Sequence, residues 1–395
     1  MRYLHDREFR RAELEASLVR PSNGYSKLRL AHYASGDSQD WERLPIANPR
    51  TASVSAAELD LDVASLRRPL GSEGSALRLD GAASSKEALR QLGEQAFFRY
   101  PAQLATSIVP TLRSRATAEH YGLWVDASRG VGGIVRVETA DGNSELAYTC
   151  ATCHVSRHDG SLAIGRANDR LDLGLLMADM GGSQDTRSWG PGRVDVSTPA
   201  GNEPVRIADL RPVRYLGYLH HDATVQKRSV VSLAIRIETL LITGHFEARR
   251  PPREVALGLA VYVESLVSPE PQAPTGDAER RGAALFAAQC ARCHVPPTFT
   301  GRPVAIEAVG TDPALGLSED RGTGMYRVPS LLGVGSRGAL LHDASLQTLD
   351  ELFDPVRLSD GRSAGVNARH VRGHAFGLAL EPSQRADLTA YVSSL

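Results

Sequence analysis

All the cysteines of this 395-residue chain fall in two copies of one pattern, Cys-x-x-Cys-His: Cys150, Cys153 and His154, then Cys290, Cys293 and His294. No other feature constrains the fold as tightly. Two thiols at this spacing add across the vinyl groups of a haem, and an imidazole at the next position reaches the iron as its proximal ligand. A structural disulfide, a zinc site or a redox dithiol can each use Cys-x-x-Cys, but none requires the histidine. A thioredoxin-like pair also expects a βαβ surround, which is absent here. The expectation is two covalently bound haem c groups (iron), and a chain that folds around them.

Composition sets the outer limits. A hydrophobic content of 42% allows substantial cores, and the length allows two or three domains. Lys+Arg 45 against Asp+Glu 46 leaves a formal charge of -1, which gives no sign of a nucleic-acid or polyanion surface. Aromatic residues are only 6% while Gly (36) and Pro (22) are plentiful, so short helices and long loops around prosthetic groups are expected. No apolar run approaches the roughly 18 residues of a membrane helix, and the stretch from Val255 to Val267 is interrupted by Gly258 and Glu264. No integral membrane span is therefore expected. Covalent haem attachment ordinarily takes place outside the cytoplasm, so the chain is expected to be periplasmic or otherwise exported, with redox proteins as partners. The start, Met1 to Asp6, lacks the apolar core of a signal peptide, and the export signal is read as missing from the sequence.

Asp277 to Gln289 reads as a helix with Gly282, Leu285 and Phe286 on one side, leading into the second motif, and Pro382 to Leu395 reads as a closing helix. Opening helix, attachment turn and closing helix resemble the small all-α class I cytochrome c domain, which implies one such domain over 276–395. A weak repeat supplies the other. Tyr262-Val263-Glu264-Ser265-Leu266 echoes Tyr391-Val392-Ser393-Ser394-Leu395, and Gly93 to Phe97 corresponds to Gly282 to Phe286. The predicted fold class is therefore mainly α: two tandem class I cytochrome c-like domains, 86–268 and 276–395, joined by a Pro-rich linker over 269–275. The first carries an insertion over 100–149, with a helix running to Trp124 and a small β-hairpin, Ile134 to Glu138 and Glu145 to Tyr148, around Asp141-Gly142-Asn143. Residues 1–85 form an irregular, arginine-rich N-terminal extension with a helical stretch from Ala56 to Leu66. It is expected to wrap the domains rather than to dock a partner.

Function turns on each iron's sixth position, since a strong protein ligand favours electron transfer and an open site permits peroxide or dioxygen chemistry. Gly324 to Val334, followed by Leu341-His342-Asp343-Ala344, resembles the C-terminal domain of bacterial dihaem cytochrome c peroxidases. The wider relatives of that group include the dihaem enzyme of methylamine dehydrogenase maturation and the dihaem rubber oxygenases. The resemblance implies that His342 lies near a haem propionate and that a later loop, with His374, supplies the sixth ligand of the second haem. Read without the resemblance, Met325 is preferred, because methionine is a common sixth ligand in small cytochromes, with His342 and His370 behind it.

For the first haem, Gly165 to Gly174 and Trp189 to Asp195 resemble loops of the same group. Arg166 and Arg193 are then candidate propionate partners through charge-assisted hydrogen bonds, with solvated surface arginines as the alternative. In Tyr218-Leu219-His220-His221-Asp222, a histidine stands where relatives often show tryptophan, and His221 is the preferred sixth ligand, ahead of His220. Met177 and Met180 read as core residues and His158 as exposed. Trp124 and Trp189 read as packing residues before electron mediators. The carboxylate that moves protons in dihaem peroxidases has no obvious counterpart, because Glu238 is the first acid after Asp222.

Three functions compete. The leading one is electron transfer between partners through two haems. The alternative is a peroxidase or oxygenase reaction at the first haem. The third is electron delivery to a separate catalytic partner docked through residues 1–85.

Overall fold

The computed structural model describes residues 2–59, 66–104, 112, 114–195, 203–359 and 371–395. Eight helices position the motifs: α1 (Arg7–Ser17), α2 (Gly24–His32), α3 (Lys86–Arg99), α4 (Cys150–His154), α5 (Val230–Gly244), α6 (Arg253–Ser265), α7 (Asp277–Gln289) and α8 (Pro382–Ser393). Asp6, Asn23, Ser85 and Ser229 start four of them by accepting a first-turn N–H, and Pro382 opens α8, where a missing N–H has no cost.

Two helix crossings repeat each other. A Cβ on Gly93 of α3 would lie 1.9 Å from the Gly258 carbonyl oxygen of α6 and 2.7 Å from Tyr262 Cβ. One on Gly282 of α7 would lie 2.0 Å from the Asp387 carbonyl oxygen of α8 and 2.8 Å from Tyr391 Cβ. Both crossings bring main chain against main chain, which only glycine permits. Each seats an apolar cluster: Leu92, Phe97, Leu259 and Tyr262 with Trp124 and Ala151 beside the first motif, and Phe286, Phe299, Leu388 and Val392 beside the second.

The strand content exceeds expectation. The hairpin forms, but within a four-stranded antiparallel sheet of order β1-β3-β4-β2, made of β1 (Thr51–Ser53), β2 (Gln103–Leu104), β3 (Ile134–Glu138) and β4 (Ser144–Tyr148). The extension contributes β1, because a lone two-stranded hairpin is marginal and gains from a third pairing. The chain is thus mixed helical with small antiparallel sheets rather than mainly α with one hairpin. The helix before Trp124 is short, Arg115–His120, and Trp124 follows it in a loop. Of the stretch from Ala56 to Leu66, Ala56–Leu59 is helical and residues 60–65 lie outside the described residues.

The N-terminal segment is held by buried polar chemistry. The hydroxyls of Tyr3 and Tyr33 each donate to Glu238 Oε2 at 2.7 Å, and Arg253 Nε lies 3.5 Å from Oε1. Glu238 on α5 is 1% exposed, so it relies on these donors for solvation. Main-chain bonds then tie the segment to both halves of the molecule: Val19 N to Thr224 O at 3.1 Å, and Tyr25 N to Asp320 O at 2.7 Å. Tyr33→Phe should lower unfolding stability by about 1–3 kcal/mol, the cost of a buried carboxylate losing one donor. An unshifted urea midpoint would show that this contact contributes nothing.

A second internal repeat joins the halves. Residues 326–346 repeat 205–225 without a gap, including Arg206 and Arg327, Val213 and Val334, and His221-Asp222-Ala223 and His342-Asp343-Ala344. The backbones agree: His220 and Leu341 take φ 62° and 64°, and Ala223 and Ala344 take 56° and 55°. Each copy clasps the other. Arg206 N donates to His342 O at 2.8 Å and its Nε to Leu341 O at 3.1 Å. Arg327 N donates to His221 O at 2.8 Å and its Nε to His220 O at 3.0 Å.

Candidate functional site

The first motif forms α4, a single turn begun by Thr149, whose hydroxyl binds the Gly133 carbonyl at 2.7 Å. His154 Nδ1 donates to the Ala208 carbonyl at 2.9 Å. That bond fixes the tautomer and leaves Nε2 with its lone pair, the arrangement of a metal-ligating histidine with its outer-shell partner. Burial, with Arg236 adding, holds His154 down to about 4, so the imidazole is neutral. Burial also pushes Cys150 up to about 11 and Cys153 up to about 12, the reverse of an activated redox dithiol.

At the second motif, Cys290 caps α7 and His294 Nδ1 donates to Phe299 O at 3.1 Å, with the Pro329 carbonyl a second main-chain partner of the ring. Here a second imidazole stands opposite. The His294 and His374 ring centres are 6.5 Å apart. Two imidazoles sharing one metal ion, with bonds of about 2 Å and about 1 Å from nitrogen to ring centre, place their centres about 6 Å apart. His374 adopts a left-handed φ of 45° after Gly373, strained for a histidine, and Arg357 Nη2 holds the carbonyls of both residues at 2.8 and 2.9 Å. His374 Nδ1 is buried without a hydrogen-bond partner.

His294 and His374 face a cavity of about 360 Å³, a size typical of cofactor pockets. Phe286, Leu331, Leu340, Leu352, Phe353 and Val392 supply apolar walls, while Arg206, Arg292, Arg327 and Arg337 line it with no carboxylate among its lining residues. Burial and the neighbouring arginines push Arg327 down to about 9, and Arg206 Nη1 has no partner. Arg337 Nε has Asp209 Oδ2 at 3.8 Å, so the four guanidinium groups are only partly balanced. An apolar slot with such a cationic rim fits a planar hydrophobic group that carries its own carboxylates, as haem does with its propionates. Among the described residues no cluster of three or more His, Cys, Asp or Glu is placed to hold a metal ion.

Several expected residues stand elsewhere. His221, expected opposite His154, lines the cavity of the second motif, and its Nε2 donates to Arg206 O at 2.8 Å, so that nitrogen carries hydrogen and has no lone pair for iron. Arg193 is not among the residues that line the second cavity. Its Nε, Nη1 and Nη2 donate to the carbonyls of Asp343 (2.7 Å), Trp189 (3.0 Å) and Ala344 (2.8 Å), clamping the loop after His342. Arg166 Nη2 donates to Ser336 O, and its buried Nε is without a partner. His342 lies in the cavity wall, stacked on Tyr326 at 4.3 Å. Met325 pairs with Ala305 in a short strand and is absent from the cavity wall, to which Tyr326 and Arg327 contribute instead. His370 lies outside the described residues. Trp124 packs in the apolar cluster of the first motif and donates to Ala151 O at 3.0 Å, and His158 is exposed. Met177 and Met180 pack against the apolar cluster that includes Cys153.

Sequence reading missed Arg236. It is the single basic residue of the apolar helix α5, which was the available signal. Its Nε donates to His220 Nε2 at 2.5 Å. No ring stands opposite His154 as His374 stands opposite His294 among the described residues.

No family model and no curated protein matches the chain. Among solved structures it is similar to a hydrazine synthase from Kuenenia stuttgartiensis, with 19% identity over 49% of this chain and 73% of that one and a TM-score of 0.32. It is also similar to a MauG-like protein associated with microbial copper homeostasis, with 16% identity over 83% of this chain and 92% of that one and a TM-score of 0.40. Likenesses this distant carry no functional inference. No helix among the described residues is long and apolar enough to cross a membrane.

Proposed function

We propose that the chain is a dihaem c-type cytochrome working outside the cytoplasm, built as two cytochrome c-like domains over 86–268 and 276–395. Cys150, Cys153 and His154 hold the first haem, and Cys290, Cys293 and His294 hold the second. Bound haem supplies one-electron redox chemistry. His374, across the same cavity from His294, would supply a second nitrogen to a haem held there, and Arg206, Arg327 and Arg337 would balance its propionates. A closed, buried centre of this kind passes electrons without exchanging ligands. Among the described residues the first centre has no such partner, since His220 Nε2 is taken by Arg236 and His221 lines the other cavity. The residues of the second centre would hold a haem that takes electrons from a redox protein, and the side of the first motif facing His154 would leave room for a small oxidant. Hydrogen peroxide fits that role, taking two electrons and two protons to give two waters.

The observation that carries this reading is the His294 and His374 pair in an arginine-lined cavity, set against His154, which no second imidazole faces among the described residues. Haem content and carbon monoxide binding test it. The expected result is two haems per chain, of which the reduced protein binds carbon monoxide at one. Uptake at neither haem would make the chain a relay with both irons closed.

A further inference from the structure

We propose that Arg236, held by His220, forms a binding site for a small anion at the open face of the first haem. This rests on the reading of that haem as open.

Arg236 reaches the first motif from α5, whose Ile237 and Leu241 share the apolar cluster of Cys150 and Ala151. Its charge acts on both Cys150 and His154. A guanidinium has no lone pair, so the 2.5 Å contact requires Arg236 Nε to donate and His220 Nε2 to accept. His220 is then neutral with its hydrogen on Nδ1, and that nitrogen is buried without an acceptor. Arg236 is half-buried, and neither of its Nη groups has a hydrogen-bond or ion-pair partner among the described residues. Every polar group that the pair leaves unused is therefore a donor.

The pair is also rigid. The Tyr25 ring meets the His220 ring edge-on at 5.1 Å, and the Arg29 guanidinium lies 3.4 Å above Tyr25. Arg29 Nε donates to Thr239 Oγ1 at 3.3 Å, one turn from Arg236 on α5. From the other half, Arg327 Nε binds the His220 carbonyl at 3.0 Å. The largest charged contributions at His220 come from Arg236, Arg321 and Arg29. A donor-only, cationic site selects a small anion that accepts: azide, cyanide or fluoride, or hydroperoxide through its deprotonated oxygen. A neutral ligand such as carbon monoxide gains little from it.

The test is an absorption titration of the ferric holoprotein with azide and fluoride, beside carbon monoxide binding to the reduced form. Arg236→Leu should weaken azide binding roughly tenfold to a hundredfold, the loss of a charge-assisted hydrogen bond, and change carbon monoxide affinity less than about threefold. Arg236→Gln, which keeps a donor without the charge, should fall between. Haem content and the low-spin signal of the second haem show that each variant is folded and loaded. Equal weakening of azide and carbon monoxide, or no change in either, overturns the proposal and assigns Arg236 to a propionate or to packing. A wild-type protein that binds neither ligand instead overturns the reading of an open first haem, and the anion site with it.

Discussion

Replacing His374 with alanine is expected to remove the low-spin signature of one haem, leave the other unchanged, and raise carbon monoxide uptake from one to two per chain. The reason is geometric. His374 is the only imidazole whose ring stands opposite His294, at 6.5 Å between centres, among the described residues. Its loop is held by Arg357 through the Gly373 and His374 carbonyls, so truncating the side chain leaves the scaffold in place. Neither His221 nor His342 can substitute without a rebuilt wall, because His221 is bonded to Arg206 O and His342 is stacked on Tyr326. Met325→Ala serves as the comparison and should leave both spectra unchanged, since Met325 is not part of the cavity wall. Loss of the low-spin signal in Met325→Ala and its retention in His374→Ala would remove His374 from the site.

Gly93→Ala is expected to destabilise the protein by about 3 kcal/mol or more, at the upper end of overpacking costs. The added Cβ would meet the Gly258 carbonyl oxygen at 1.9 Å and its carbon at 2.4 Å, and neither main-chain atom can swing aside as a side chain would. The helices must separate, which loosens Phe97 and Tyr262 in the cluster that contains Ala151 of the first motif. Haem incorporation at the first site should therefore fall along with stability. Gly217→Ala is the control: nothing lies within 4 Å of a Cβ there, and a change within about 0.5 kcal/mol is expected. Equal effects at the two glycines would show that the α3 and α6 crossing is not closely packed.

These two sites show how unevenly the molecule can be read from its sequence. The α3 and α6 crossing was legible because its signal is local and repeated: glycine at one helix position, tyrosine at the other, in both halves. The repeat of 205–225 at 326–346 was equally legible and was missed, since it lies between the motifs rather than in them. Arg236 announced itself as one cation in an apolar helix, but its partner His220 comes from a hairpin before that helix, and no spacing rule connects the two. His221 was misplaced for a conformational reason. His220 adopts a left-handed φ of 62°, which turns the chain so that neighbouring imidazoles serve opposite sides, one toward α5 and the other toward the second cavity. Arg193 was misplaced because an arginine near a cofactor motif is as useful for binding carbonyls as for binding carboxylates, and its burial here leaves it on carbonyls.

What the sequence determined by itself is the attachment pattern. Cysteine, cysteine and histidine within five residues are the set that covalent haem attachment needs, and one turn of the chain brings them together whatever the rest of it does. Only the tertiary structure decided what faces each proximal histidine. Those groups arrive from remote loops and helices, and the arginine clasps between the halves and the docking of Tyr25 set which side chain reaches which pocket.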